Sequence, residues 1–453
     1  MRSLVHRLRG LSALCCLLLG SGWAWSDSSA PAPRVPVLTG PVQLTPDTAA
    51  RLAVSRAPDR ALADQAVLGA QGKLQQAQAM TGWQVQAQVS HMRMGPVTAM
   101  DLSSQGAGRI VLSPSNSTTG LLSVAKPLYL GSRDVYSREA ATAGLEAARV
   151  ARAGVDLTLA QDARQAVYTL LRLQQLWVVA QRHVTAVAEH LRVAEAMFAA
   201  GTVARFEVVQ AQAELARARG EEISARTAVA QQKAALCQLL NLPQGTVLQA
   251  EEGVPPVAPE GDVQELIATA LRQRPDAQAA EWAVKAAEAS LRLALANDRA
   301  TLAATGQWTH TASGSFSDGD SWQAGLSLSK PLHRGGETQA LVVQARAALE
   351  TARLNAEKTQ EQIARQVTQA VLAVENAREQ EQVAARGLDE ARERQRIAVV
   401  RFQSGVSLGV ETLDAETALA LAEAQQVNAR YDLQSALSAL RAAIGLHDMA
   451  KEQ

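Results

Sequence analysis

Cysteine is nearly missing from this chain of 453 residues: there are three, and Cys15 and Cys16 both fall near the N-terminus. With only Cys237 left, an internal disulfide framework and a cysteine-built zinc site are excluded. Aromatic residues make up 3% of the chain. Ordinary globular cores lean on large side chains, so an alanine-rich chain with few rings points to long helices packed closely through small residues. Neither sign of charge is in excess, with 44 basic against 44 acidic residues. That balance gives no bulk case for binding nucleic acid. Beyond the N-terminus no apolar run reaches the roughly 20 residues a membrane-spanning helix needs. Proline is absent from residues 128–242 and again from 332–453.

Catalytic and cofactor motifs are missing as well. The sequence holds no phosphate loop, nucleophile elbow or HExxH, so neither a catalytic constellation nor a bound cofactor is expected. Gly106-Ala107-Gly108 lacks the strand and helix that would frame a nucleotide fingerprint. His183 and His190 fall about 10 Å apart along one helix, too far to share a metal, and read as structural. His91, Met92, Met94 and Met100 combine imidazole and thioether in a predicted loop, a set that suits copper or silver. Ordinary loop packing is the preferred reading, and no metal site is assigned.

What is present begins with a leader. Arg2, Arg7 and Arg9 precede the apolar stretch Leu11 to Leu19, and Ala24-Trp25-Ser26 is a cleavage-like site. Residues 1–26 therefore read as a secretory signal peptide, with the mature chain starting near Asp27. Ser-Ala-Leu before Cys15 is a poor lipobox, which argues against acylation.

The rest is written twice. At an offset of 204, Phe198 meets Phe402, Gly201 meets Gly405, Glu207 meets Glu411, Ala211 meets Ala415 and Leu215 meets Leu419. Ser123-Val124-Ala125-Lys126-Pro127-Leu128 likewise meets Ser327-Leu328-Ser329-Lys330-Pro331-Leu332. Upstream the offset becomes 217, where Pro58-Asp59 meets Pro275-Asp276, so the first copy carries 13 extra residues between Val85 and Ser123. In each copy a helix opens on Pro-Asp, two short alternating segments follow, and then comes a long helix, a glycine turn and a returning helix. Residues 135–199 as helix would reach roughly 100 Å. The expected organisation is an extended segment 27–57, a first repeat 58–242, a linker or equatorial region 243–274, a second repeat 275–447 and a tail 448–453. Pro255, Pro256 and Pro259 support an extended connection over 243–262.

The alternating segments carry the functional weight. Trp83 to Ser90 sets Trp, Val, Ala, Val against Gln, Gln, Gln, Ser, and Trp322 to Ser329 sets Trp, Ala, Leu, Leu against Gln, Gly, Ser, Ser. Apolar-out, polar-in alternation behind a signal peptide is the mark of an outer-membrane barrel strand. Four strands cannot close a barrel and open edges are not tolerated in lipid, so chains must pool their strands. Two chains would give eight strands and a filled lumen; three would give twelve and leave a pore, which suits the long helices better.

These features resemble the TolC family of outer-membrane efflux channels over residues 40–447. The motif of Phe402, Gly405, Val410, Leu413, Asp414, Ala415 and Leu419, its echo in Phe198, Gly201, Val209, Ala211 and Leu215, and the stretches Met94-Gly95-Pro96-Val97 and Lys126 to Gly131 carry the likeness. The resemblance implies a mixed α and β membrane protein: a homotrimeric 12-stranded outer-membrane β-barrel continued by a periplasmic α-helical barrel. It implies partners too, namely a periplasmic adaptor (membrane fusion protein), an inner-membrane pump and outer-membrane lipid. Phe198, Gly201, Phe402 and Gly405 would form adaptor-docking tips, and Glu411 and Asp414 the acidic constriction of the periplasmic gate. The function implied is a passive exit duct, located in the outer membrane and reaching into the periplasm, with drugs, metal ions, solvents or proteins as cargo. A periplasmic coiled-coil adaptor, which also has long hairpins, is the alternative reading.

Overall fold

The computed structural model describes residues 42–95, 98–101, 109–113, 115–313, 318–404 and 406–446, with backbone alone for 98–101 and 109–113. The signal peptide, residues 27–41, Pro96-Val97, Gly106 to Gly108, Gly405 and the tail 448–453 lie outside the described residues.

Two helices of 67 residues set the scale, α3 (Arg133–Ala199) and α7 (Glu337–Gln403). Each spans about 100 Å. Their interiors hold no proline, and alanine recurs where helices touch, so axes can approach closely. Each is covered by a relay of shorter helices. Along α3 lie α1 (Pro46–Arg56) and α2 (Pro58–Ala79), then α4 (Arg205–Leu239). Along α7 lie α5 (Val263–Gln273) and α6 (Pro275–Leu295), then α8 (Gly409–Ile444). The two relays are joined because α3 also packs on α6 and α8.

Helix α1 corrects the sequence reading, which left 27–57 extended. Pro46 occupies its first turn, where a missing N–H costs nothing. Thr45 and Thr48 close a reciprocal capping box, with Thr48 N to Thr45 Oγ1 at 3.2 Å and Thr45 N to Thr48 Oγ1 at 2.8 Å. The proline therefore marks a start, not a break. Pro46 lies 217 residues before Val263, so α1 and α5 are themselves copies, and the duplicated unit reaches further upstream than its expected boundary at residue 58. The region 243–274 likewise holds a strand, β6 (Leu248–Ala250), besides α5.

That strand pairs in parallel with β1 (Val42–Leu44), bringing the two linkers together at mid-height. Beneath the pair, Leu44, Val167, Leu170, Leu236, Leu240 and Leu248 form the largest core cluster. Glu252 fastens the linker to α8, accepting from Tyr431 Oη at 2.6 Å and from Arg430 Nη2 at 2.7 Å.

At one end of the helices stands an antiparallel sheet ordered β2-β5-β7-β8: Gln84–Arg93, Asn116–Tyr129, Thr301–Ala312 and Gly319–Ser329. A separate hairpin, β3 (Thr98–Asp101) with β4 (Arg109–Ser113), interrupts the first repeat between β2 and β5. The register of the four strands decides which residues share a face. Ala87, Leu122, Trp308 and Trp322 stand in one row, and Gln86, Ser123, Gln307 and Gln323 in the next, on the opposite face. Among the described residues neither face is covered, and β2 and β8 are edges without a partner strand.

Candidate functional site

At the far end of the helices are two hairpin turns. In the first, Ala200 caps α3 and Gly201 follows at φ +75°. Thr202 N donates to Met197 O and Gly201 N to Phe198 O, both at 2.9 Å, the paired bonds of a Schellman motif. The second turn carries the matching outer bond, Val406 N to Arg401 O at 3.0 Å. Both returning helices then start without a side-chain cap.

Beyond that shared backbone the two tips diverge. Phe198 is 45% exposed, whereas its counterpart Phe402 is 4% exposed, its ring 5.0 Å from that of His190 on α3. The sequence reading placed both phenylalanines on a docking surface. Phe402 does not fit that role, because α3 covers it and its ring holds the second hairpin against the first. Val209 is 52% exposed, and its counterpart Leu413 is 5% exposed in a cluster with Val187 and Leu215.

The junction is built on Gly409, the first residue of α8. A Cβ there would stand 2.5 Å from Glu207 Oε2, 3.3 Å from Phe402 Cε2 and 3.4 Å from His190 Nε2. Three elements thus converge on one helix start. The Glu207 carboxylate comes from the first returning helix and lies at the positive end of α8, where backbone N–H groups lack a side-chain cap. In the first copy the position of Gly409 is taken by Arg205, which is exposed.

One turn further along α8, Thr412 Oγ1 donates to Ala398 O of α7 at 3.3 Å. The next residue on that face is Glu416, 7% exposed and pushed up to about 7 by burial, with a hydrogen bond to Gln395 lowering it in part. Its Oε2 has no hydrogen-bond partner among the described residues, nor does His183 Nδ1 on α3. Burial also lowers the pKa of His190.

Glu411 and Asp414, read from the sequence as an acidic constriction, both lie on the exposed side of α8's first turns. Glu411 Oε2 is 3.8 Å from Arg401 Nη1, and Asp414 has no ion pair among the described residues. Their side chains share a face three residues apart and point away from the junction. Sequence reasoning missed Gly409, Glu207, His190 and Glu416 as a group. A signal existed in the repeat alignment, where glycine replaces Arg205 and a carboxylate replaces Gln212.

Among the described residues no helix is long and apolar enough to cross a membrane, and no three His, Cys, Asp or Glu gather as a metal site. His91 Nδ1 instead contacts Thr118 Oγ1 at 2.9 Å. Neither finding bears on a membrane barrel.

Comparison with known proteins gives one family: the outer membrane efflux protein family matches residues 49–242 and 266–446. Nodulation protein T of Rhizobium leguminosarum bv. trifolii is 25% identical over 341 residues, spanning 73% of this chain and 72% of that protein. The outer membrane protein VceC of Vibrio cholerae superposes with a TM-score of 0.74 at 22% identity, covering 88% of this chain and 96% of that one. The MtrE outer membrane channel of Neisseria gonorrhoeae, solved in an open state, gives 0.73 at 22% identity over 88% and 89% of the two chains.

Proposed function

The chain belongs to the outer membrane efflux protein family, and on that premise we propose that it is the outer-membrane exit duct of a tripartite efflux or secretion system. The observation that carries the reading is the four-stranded sheet with one apolar face, one polar face and two unpaired edges, set on helices of 67 residues. Unpaired edges cannot stand in lipid. Three copies joining β2 of one to β8 of the next give a closed twelve-stranded barrel whose polar faces enclose a pore. The apolar rows then face outer-membrane lipid.

The helices support the same closure. Within the chain α4 packs on α3 and α7 packs on α8, which leaves the outer flanks of α4 and α7 open. Phe206 and Ile223 on α4, and Leu354, Val383 and Val400 on α7, are exposed in the single chain. Flank-to-flank contact in a homotrimer closes a periplasmic tunnel. Such a duct is passive; the energy comes from an inner-membrane pump reached through a periplasmic adaptor. Phe198 and Gly201 on the open first tip suit that adaptor contact, and Glu411 and Asp414 suit a narrow acidic entrance. The adaptor reading of the chain itself is set aside, since the family is one of channels and the sheet has no use in a soluble hairpin protein.

The test is fractionation followed by native mass measurement. A trimer in the outer-membrane fraction is expected; a monomer, or a soluble periplasmic protein, overturns the reading.

A further inference from the structure

The ionisable groups of the four-stranded sheet are distributed against the usual habit of a pore. Pore walls ordinarily carry the charges and the lipid side carries none. Here the polar face has none. From Gln84 to Ser329, every residue paired on that face is an amide, a hydroxyl, a glycine, a proline or an apolar side chain. The charged and imidazole groups of the sheet, Arg93, His91, Lys126, His310 and Asp320, all stand on the apolar face. They sit at its two ends: Lys126 beside the helices, the other four toward the loops. His310 Nδ1 and Asp320 Oδ1 are 2.7 Å apart, so the two polar groups meet one another where they stand.

The middle of the polar face is a continuous row across all four strands: Gln86, Ser123, Gln307 and Gln323. Gln323 Nε2 donates to Gln307 Oε1 at 3.0 Å, and Gln307 Nε2 donates to Thr309 Oγ1 at 3.3 Å. The amides are thus held by one another across β7 and β8.

We propose that this row, repeated in each protomer, forms an uncharged girdle of amides and hydroxyls around the barrel lumen, so that the barrel passes cations, anions and neutral polar cargo without sorting them by charge. The inference rests on the exit-duct reading. Selection by charge then falls to the acidic helical tip or to the pump, and cargo meets the barrel wall only through hydrogen bonds exchanged with amides.

Purified full-length protein in planar bilayers tests this. In the Glu411→Ala/Asp414→Ala variant, the reversal potential in a potassium chloride gradient should fall close to that of free diffusion. Adding Gln323→Glu should restore cation preference. A second readout does not depend on the tip. Gln323→Cys should react with a cationic and an anionic methanethiosulfonate in the same ratio of rates as free cysteine, to within about twofold, whereas a wall of one charge sign shifts that ratio about tenfold or more. Cys237 is buried and adds little background. A shift of that size, or an unreactive Gln323→Cys beside a reactive Ala324→Cys, overturns the girdle while leaving the duct intact. Protein that forms no pores overturns the duct reading and this inference with it.

Discussion

The two hairpin tips share a sequence motif and the turn's outer hydrogen bond, yet one is open and the other is sealed. Phe198 and Val209 lie bare on the first, while on the second Phe402 is covered by α3 and Leu413 by α3 and α4. Duplication copied the turn, and packing then set the two copies apart: one ring is held between helices and the other is left bare. Quasi-equivalent copies are therefore a poor guide to equivalent roles, because burial is set by what lies alongside rather than by the motif itself.

The largest effect should come from the rings. Phe402→Ala removes a covered aromatic from between α3 and α8 and should cost about 3–5 kcal/mol locally. Phe198→Ala removes an exposed one and should cost under about 1 kcal/mol, within the range of surface changes. Hydrogen exchange resolved at each tip measures both. Adaptor crosslinking should respond in the reverse order, falling for Phe198→Ala with the tip still folded. Equal protection losses at the two tips would erase the distinction drawn between them.

Much of the architecture was legible because it rests on short periods. Alternation with period two in Trp322 to Ser329 exposes a two-faced strand, and Phe402 with Gly405 repeats Phe198 with Gly201 at a constant offset. The junction was not legible in that way. His190 meets Gly409 across more than two hundred residues, and no local pattern states which face of α3 will turn toward α8. Helix α1 escapes the sequence reading for a different reason: the proline-rich segment 27–57 reads as extended throughout, although a proline such as Pro46 is at home in a helix's first turn.

The next difference is one of pH. Glu416 is buried where the first tip has the exposed Gln212. Held near 7 in the fold against 4.5 ordinarily, Glu416 binds its proton more tightly folded than unfolded. Its contribution is fully present below about 4.5 and is lost as pH rises through about 7, on the order of 3 kcal/mol in all. Gln395 on α7 hydrogen-bonds Glu416, and His190 on α3 and Glu207 on α4 meet at the start of the same helix, α8. His190, lowered by burial, acts with the opposite sign, losing stability as pH falls below its ordinary 6.5. Judged against intrinsic exchange, which quickens with pH at every amide, protection at the second tip should fall as pH rises from about 4.5 to about 7, with His190 offsetting part of that fall, and protection at the first tip should show no such trend. Glu416→Gln should flatten the fall; an unchanged fall would show that another group carries it.

Gly409 should follow. Its backbone is ordinary for a helix, so the constraint is space alone: a Cβ would collide with Glu207 Oε2 at 2.5 Å. Gly409→Val should cost about 1–3 kcal/mol by overpacking. Glu207→Ala should recover part of that loss by clearing the site, a coupling that a double-mutant cycle of tip protection reads directly. Arg205→Ala at the equivalent first-tip position should stay within about 0.5 kcal/mol of the parent. A strictly additive Gly409 and Glu207 pair would mean that the carboxylate does not sit against α8's start.

The smallest expected effect comes from the glycine whose constraint is the reverse. Gly201 has no atom within 4 Å of where its Cβ would be, so a side chain there meets only open space. Its difficulty is φ +75°, a left-handed backbone that costs an ordinary L-residue roughly 1–2 kcal/mol. Gly201→Ala should therefore loosen the first turn by about 1 kcal/mol. Gly201→Asn should cost less despite its larger side chain, since asparagine tolerates this conformation and serves at the same helix-end position. At Gly409 size should rule instead, with Gly409→Asn worse than Gly409→Ala. Tip-resolved exchange on the four variants gives the ranking at each site. Opposite rankings would show that one tip is limited by backbone geometry and the other by contact with its neighbour. Matching rankings would mean that the first tip, too, is packed against something, and the open surface assigned to adaptor docking would be lost.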